Sequence, residues 1–376
     1  SHQWSDPHPA DGCEKPSESL NIVYLTTEAV PFAKTGGLAD VCGTLPSRVS
    51  ALGHRAAIVM PAFRSVRQVA SVEPTDISFA VLMSPRKLVG CRLLAGRLPD
   101  GDVPVWFIDQ PQYFDRESLY GTPSGDYPDN AERFAFFCRA ALQAILRIGW
   151  SIDILHCNDW QSGLVPGLLG ADRASYPSMR RAATVMTIHN LAYQGDFPGS
   201  AFGWTGLDWR HFNHHEFEYY DRLNFLKTGI VTADAITTVS PRYSQEIRTT
   251  KHGCGLDAVL DGVSDRLVGI TNGIDQSTWN PANDPKLTAN YDITSWREGK
   301  RNNKLALQEQ FQLEASDEVP LIGLVGRLAG QKGWDLIVPV LQWHLRENRP
   351  TQWIVLGSGE NRYEQELRAL AQAYPN

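Results

Sequence analysis

From residue 20 onward the chain alternates short apolar runs of strand length with longer stretches whose apolar residues recur at helical spacing. That is the pattern of a parallel sheet with helices on both faces. The runs predict strands near residues 21–27, 56–60, 103–108, 152–156, 183–189 and 235–239, then a second series at 267–271, 320–326 and 352–357. A polar segment over about residues 275–301, containing WNPANDP, reads as a connecting loop. The fold class that follows is α/β, with two Rossmann-like doubly wound domains over residues 20–265 and 266–376. Residues 1–19, rich in Ser, Pro, His and acids, read as a disordered lead.

In doubly wound folds the ligand sits outside the carboxyl ends of the strands, so residues just after strands carry the search for chemistry. The first strand runs into KTGGLADVCGTLPSRVSALG, where Leu38, Val41, Leu45, Val49 and Leu52 fall at helical spacing and Gly53 is placed to end the helix. Gly36 and Gly37 therefore stand at a helix N-terminus, where free N–H groups can hold an anion and Lys34 can add positive charge. An ordinary turn with a solvated lysine fits the spacing equally well. HCNDWQ (residues 156–161) and TIHNLAYQG (residues 187–195) each put a histidine with amide or acid partners after a strand. A core or capping histidine is the plain reading of each one alone, and two such clusters at equivalent strand ends favour a polar substrate.

In the second series, LIGLVGRLAGQKGWD sets Arg327 and Lys332 in a glycine-rich loop directly after a strand. Two cations beside glycines suit a diphosphate. The loop lacks the Ser or Thr and the glycine spacing of a P-loop, and surface charge is the alternative. Gly357 and Gly359 also follow a strand, but Arg362 stands where a dinucleotide fingerprint needs its third glycine, which argues against a nicotinamide enzyme. DYPDNAERF reads as a solvated turn and helix start capped by Asp129 or Asn130. His211, His214 and His215 crowd together with no acid or cysteine pattern to complete a metal site.

Composition narrows the classes further. Hydrophobic residues at 42% and charged ones at 20% suit a packed globular chain, and 35 Lys and Arg against 42 Asp and Glu give a net charge of −7. An acidic chain without a basic block is a poor partner for nucleic acid or an anionic membrane. No apolar run is long enough to span a bilayer. The six cysteines are scattered without a Cys-x-x-Cys pair, unlike a zinc site or disulfide framework, and suggest a reducing compartment. The chain lacks an initiator Met and a signal-peptide pattern.

KTGGLADV, LYGTPSGDYPDNAERFAFF, HCNDWQ, TIHNLAYQG, DAITTVSPRYSQEI, TNGID and GRLAGQKGWD occur in this order from residue 20 to 376. Together they resemble the bacterial glycogen synthases and plant starch synthases. The resemblance implies the GT-B fold, two Rossmann-like domains facing a cleft, and retaining transfer of glucose from ADP-glucose to the 4-position at the non-reducing end of an α-1,4-glucan. By the same likeness Lys34, Gly36 and Gly37 meet the donor's diphosphate and sugar, with Asp40 beside them. Asp159 and His189 surround the donor glucose, Tyr127 and Asn130 belong to a sugar-binding segment, Asn272 belongs to the N-G-[ILV]-D motif, and Arg327 with Lys332 form a diphosphate pair. Lys34, Asp159 and His189 are the expected catalytic residues. No cofactor and no metal are implied, and the cytoplasm is the expected location, or the plastid in a plant.

The family's later Glu-Pro-x-Gly-Leu motif, which supplies a catalytic Glu, does not occur in this chain. The second domain is accordingly expected to be an incomplete one, the chain a fragment, and its own transfer activity weak. Two alternatives stand beside the enzyme: a non-catalytic glucan-binding remnant, and a related enzyme of the same fold using UDP-glucose, or a sucrose-type, trehalose-type or phosphorylase relative. KTGGLADV at the first loop counts against the last group.

Overall fold

The computed structural model describes residues 19–122 and 124–375, so all but the last residue of the lead read over 1–19 lies outside it. The described chain divides into two units, ending and starting at Gly273 and Ile274. The first is built on a nine-stranded sheet. Its strands in chain order are β1 (Asn21–Leu25), β2 (Arg55–Pro61), β3 (Glu73–Ser84), β4 (Lys87–Arg97), β5 (Pro104–Asp109), β6 (Ile154–Asn158), β7 (Ala183–Ile188), β8 (Ala235–Thr238) and β9 (Leu267–Gly269). They lie in the spatial order 9-8-7-6-1-2-5-4-3. The order reverses between β1 and β6, which pair in parallel at Ile22 with Ile154 through Leu25 with Cys157. A reversal of this kind opens a crevice at the carboxyl edge, because the connections on either side leave in opposite directions.

The central strands are buried on both faces, which is why they read as continuous apolar runs in the sequence. Helix α1 (Gly37–Ala51) follows β1, and Gly53 takes a φ of +100° just beyond it. Its buried side is Leu38, Ala39, Cys42, Gly43 and Pro46, not the Leu45 and Leu52 row that spacing suggests, since both of those leucines are exposed. The small residues are needed inside, because Gly43 lies against Val30 with no room for a Cβ. Helix α2 (Asn130–Ile148) brings Phe134, Phe136 and Phe137 into the same core.

Three sequence expectations are corrected. The hairpin of β3 and β4 had no expected strands, because its residues alternate between core and solvent, with Val81 and Met83 buried and Leu82 and Leu88 exposed. β9, read as the start of the second series, pairs in parallel with β8 and closes the first sheet. The segment read as a loop to residue 301 becomes helix α5 at Trp296–Gln310, a helix so polar that only Gly299 and Gln308 are buried. Two helices not yet labelled come before it, α3 (Leu164–Ala171) and α4 (Phe225–Thr232).

The second unit holds the parallel pair β10 (Leu321–Val325) and β11 (Gln352–Leu356), with α6 (Trp334–Arg346) and α7 (Asn361–Ala373). A small cluster of Leu328, Trp334, Val338 and Tyr363 forms its core. Among the described residues no helix is long and apolar enough to cross a membrane.

The packing behind the carboxyl edge generates a stability prediction. Gly163, at the start of α3, has an ordinary helical φ of −63°, yet a Cβ there would stand 2.3 Å from the Phe225 carbonyl oxygen. Gly163→Ala is expected to lower stability by about 1–3 kcal/mol, as overpacking against backbone does. Gly203→Ala, where a Cβ meets nothing within 4 Å, is the control in the same denaturation experiment. Equal midpoints for the two variants would mean that α3 and α4 separate freely.

Candidate active site

The residues that converge at the reversal between β1 and β6 come from the ends of three strands. After β1 the chain turns through Thr26, Thr27 and Glu28, and Glu28 is only 3% exposed. Its carboxylate accepts from Thr35 N (2.5 Å), Thr35 Oγ1 (2.6 Å), Gly36 N (3.1 Å) and Tyr120 Oη (2.8 Å). A buried carboxylate needs such donors, because burial without them is costly. Glu28 thereby sets the KTGG loop from behind. The anion reading of that loop changes in one respect: the Gly36 N–H is occupied by a protein carboxylate, so Gly37 and the Lys34 side chain are what the loop has left for a ligand. Lys34 Nζ meets Asp40 at 2.7 and 2.9 Å, with both side chains about half exposed. A pair so solvated is worth little, and an incoming anion displaces it readily.

At the end of β6, Asp159 takes a φ of 55° and a ψ of 178°, a backbone state that favours glycine. The strain is held in place by hydrogen bonds: Asp159 N donates to Thr187 O at 3.0 Å. Its Oδ1 accepts from His189 N at 2.8 Å and Asn190 N at 3.4 Å. Burial raises the Asp159 carboxyl above its usual range, against the pull of His189. His189 Nε2 lies 3.0 Å from Asn158 Oδ1. Burial lowers the His189 pKa, outweighing the Asp159 and Glu28 charges that would raise it, so the ring is neutral at pH 7. Asp159, His189 and the Glu28 loop thus form one polar cluster.

His156 is not part of it. The side chain of this mid-strand residue stacks on Tyr24 with ring centroids 4.8 Å apart and bonds Thr187 Oγ1 at 2.6 Å. Of the two histidine clusters, one carries a histidine engaged with Tyr24 and Thr187 and the other a histidine of the polar cluster.

The remaining expected residues are distributed. Asn130 is buried, donating to Tyr120 O at 2.8 Å and accepting from Arg133 at 2.6 Å, so both ends of its amide are engaged within the protein. Asp129 stands at the cap position of α2, but its carboxylate pairs with Arg116 instead of an amide. The Tyr127 ring is faced by the guanidinium groups of Arg116 and Arg133 at 4.6 and 5.1 Å. Asn272 is exposed in the loop after β9, in the first unit.

In the second unit Arg327 and Lys332 are both exposed, on the loop between β10 and α6. That loop is knitted to the one after β11: Leu328 N donates to Ser358 O at 2.9 Å and Gly330 N to Glu360 Oε1 at 2.8 Å. Gly357 and Gly359 are explained by this approach, since a Cβ on either would stand 2.0 and 2.3 Å from the carbonyl oxygens of Gly326 and Leu328. They serve backbone packing and owe nothing to a dinucleotide.

Sequence reasoning missed Glu28, Tyr120 and Asn158. Glu28 had a legible signal, as the lone charge in the apolar run NIVYLTTEAVPF. Asn158 and Tyr120 had none, because their partners are distant in the chain.

A doubly wound sheet with a buried polar cluster at its reversal and cations on glycine-rich loops defines a class, the α/β glucosyltransferases, once the known relatives are set beside it. The model described as "Starch synthase catalytic domain" matches residues 21–262. The chain is 58% identical over 365 residues to a glycogen synthase of Rhodopirellula baltica, covering 95% of this chain and 72% of that protein. It is 47% identical over 360 residues to a glycogen synthase of Syntrophotalea carbinolica, with the same two shares. Its fold superposes with a TM-score of 0.85, at 33% identity, on the catalytic domain of starch synthase IV from Arabidopsis thaliana bound to ADP and acarbose, covering 95% of this chain and 72% of that one. This chain belongs to the glycogen synthase and starch synthase family, glucosyltransferases that build glycogen.

The two histidines make the fold sensitive to acid. Burial holds His156 neutral down to about pH 4, and an unfolded histidine takes its proton near 6.5. Between those values the unfolded chain binds the extra proton, so stability is full above about 6.5 and falls as the pH drops toward 4. His189 acts in the same direction. His156→Gln is expected to flatten the fall in unfolding free energy between pH 6.5 and 4, read from urea denaturation, by at most about 3 kcal/mol. An unchanged slope would assign the acid sensitivity to other groups.

Proposed function

We propose that the donor is ADP-glucose and that its glucose passes, with retained configuration, to the 4-hydroxyl at the non-reducing end of an α-1,4-glucan. The observation that carries this reading is the uncharged His189 held beside Asp159 and Asn158 at the carboxyl edge. A neutral imidazole suits a sugar hydroxyl, whereas a phosphate calls for fixed positive charge. The ADP of the starch synthase IV structure and the glycogen-building relatives support the donor and the acceptor.

In this reading Lys34, released from Asp40, serves the donor in the first unit, with Gly36 and Gly37 giving close approach, and Arg327 with Lys332 are the diphosphate pair of the second unit. Asp159 and His189 orient the glucosyl ring, and Tyr127, Asn130 and Asn272 take part in substrate binding, Asn130 by fixing Tyr120 and Arg133 and not by touching the sugar. The bond from C1 to the diphosphate oxygen breaks with its electron pair leaving on that oxygen. The bond from C1 to the acceptor O4 forms on the same face, and the hydroxyl proton passes to the departing diphosphate oxygen. Cations fixed around the leaving oxygen stabilise the charge that develops there, and a held ring removes orientational freedom. No cofactor is needed for this exchange. We place the reaction in the cytoplasm, a reading supported by the unpaired buried thiols Cys42, Cys91, Cys138 and Cys157.

The test is turnover of ADP-glucose against UDP-glucose on a glucan primer, with the anomeric configuration of the product read by proton NMR. ADP-glucose is expected to be preferred and the new linkage to be α. A β-linkage, or a preference for the uridine donor, would overturn the corresponding part of the reading. Arg327→Ala is expected to lower turnover by about 10²-fold, as loss of a contact to developing charge does. An unchanged rate would remove Arg327 from the site.

A further inference from the structure

We infer that Asn158 is a positioning residue that holds His189 as its Nε2–H tautomer, so that Nδ1 is the atom offered to the substrate and the group it takes is a hydroxyl donating its proton. The inference rests on the reading that His189 binds the donor sugar.

The argument starts from the amide. Asn158 is 2% exposed, at the last position of β6. Its Nδ2 donates to two backbone carbonyls, Leu25 O at 3.3 Å and His156 O at 3.1 Å. Turning the amide over would set an oxygen against both carbonyls, so the carbonyl groups of β1 and β6 fix which end is which. Oδ1 then faces His189 Nε2 at 3.0 Å, and an amide oxygen only accepts. Nε2 must carry the hydrogen.

A neutral ring with its proton on Nε2 has a lone pair on Nδ1. Among the described residues Nδ1 takes part in no hydrogen bond, and it is absent from the buried polar atoms that lack a partner, so it opens onto space that solvent reaches. The charged or titratable groups around the ring are Asp159, Glu28 and His156. None of them donates to Nδ1. The ring is also held through its backbone, whose N–H goes to Asp159 Oδ1 at 2.8 Å. Backbone and Nε2 are thus both fixed, and one lone pair is left without a donor from the protein. A hydroxyl satisfies that lone pair. A phosphate oxygen, which only accepts, is repelled by it. The arrangement therefore discriminates between the sugar end and the phosphate end of a nucleotide sugar.

The primary test uses the chain itself, labelled with ¹⁵N-histidine and observed by long-range ¹H–¹⁵N correlation at pH 7.5, with the His189 signals assigned by their loss in His189→Gln. The expected result is a protonated Nε2 and an unprotonated Nδ1. Asn158→Leu, which removes the acceptor, is expected to shift the ring to a mixture of tautomers. It should also raise the enzyme's KM for the donor about tenfold with kcat within a few-fold, the loss of one hydrogen bond made equally in ground and transition states. A merely structural role would lower active enzyme without moving the tautomer or splitting KM from kcat. Asn158→Gln keeps both the amide donor and the acceptor oxygen, and is expected to retain the parent tautomer and a KM within about threefold, so a Leu variant that fails to fold does not leave the matter undecided. A protonated Nδ1 in the parent, or an unchanged tautomer in a folded Leu variant, would overturn the inference. His189→Ala separates the two readings: an unaltered donor KM would sink sugar binding by His189 whatever its tautomer, while a raised KM beside an insensitive tautomer would sink the role of Asn158 alone.

Discussion

The arrangement of the site depends on one buried carboxylate. Glu28 sits at the end of the central strand and takes four donors, three from the KTGG loop and one from Tyr120. Tyr120 Oη also bonds Thr27 Oγ1 at 2.7 Å, and its own carbonyl accepts from Asn130. Through Asn130 the chain of contacts reaches Arg133, which is wholly buried and also donates to the carbonyls of Tyr113 and Leu119. A loop of glycines has no side-chain packing to hold it, so its shape has to come from outside, and here it comes from a charge that cannot be left unpaired. Without Glu28 the Thr35 and Gly36 amides lose their acceptor, and Tyr120 keeps only its Thr27 bond to the segment that follows β1.

Around that anchor, charge is sorted by depth. The innermost groups that titrate near neutrality are kept neutral: burial lowers the pKa of both His156 and His189. The pair of Lys34 and Asp40 remains in solvent, where its mutual attraction is weak and its rearrangement costs little. This is what an enzyme handling a nucleotide sugar requires. The sugar has many hydroxyls and no charge, and is best held by neutral groups that are already in place. The diphosphate brings charge, and in the proposed reading it is met by Lys34 at the exposed rim, where desolvation is small.

Much of this was legible in the sequence, and the parts that were not share a cause. The strands of the central sheet declared themselves because burial on both faces leaves an unbroken apolar run, as in β2, where six of seven residues are buried. β3 and β4 hid because they are covered on one face only. Helix α5 hid because it is polar nearly all round. At the candidate site, the strand-end rule marked the KTGG loop and the segments HCNDWQ and TIHNLAYQG, since that rule needs only the order of elements, and the family resemblance singled out Lys34, Asp159 and His189 within them. Asn158 could not be separated from its neighbours, because its role comes from Leu25, 133 positions earlier, and His189, 31 positions later. Local spacing carries no information about partners that only the sheet order brings together. For the same reason His156 and His189 looked equivalent along the chain, although one bonds Thr187 on the neighbouring strand and the other bonds Asn158 and, through its backbone, Asp159.

The glycines of the two units show how differently the same residue is used, and why a motif read by spacing misleads. Gly357 and Gly359 let two loops of the second unit share backbone hydrogen bonds, and neither has a φ in the left-handed range. They are small because a neighbour's carbonyl fills the space a side chain would take. Gly36 and Gly37 have nothing within 4 Å of where a Cβ would stand. Gly36 lies at a φ of −157°, which any residue adopts. Neither internal packing nor backbone conformation therefore demands a glycine at those two positions. The room left open there lies beside Lys34 and the start of α1, and in the proposed reading it lets a ligand's oxygens come up against the backbone itself.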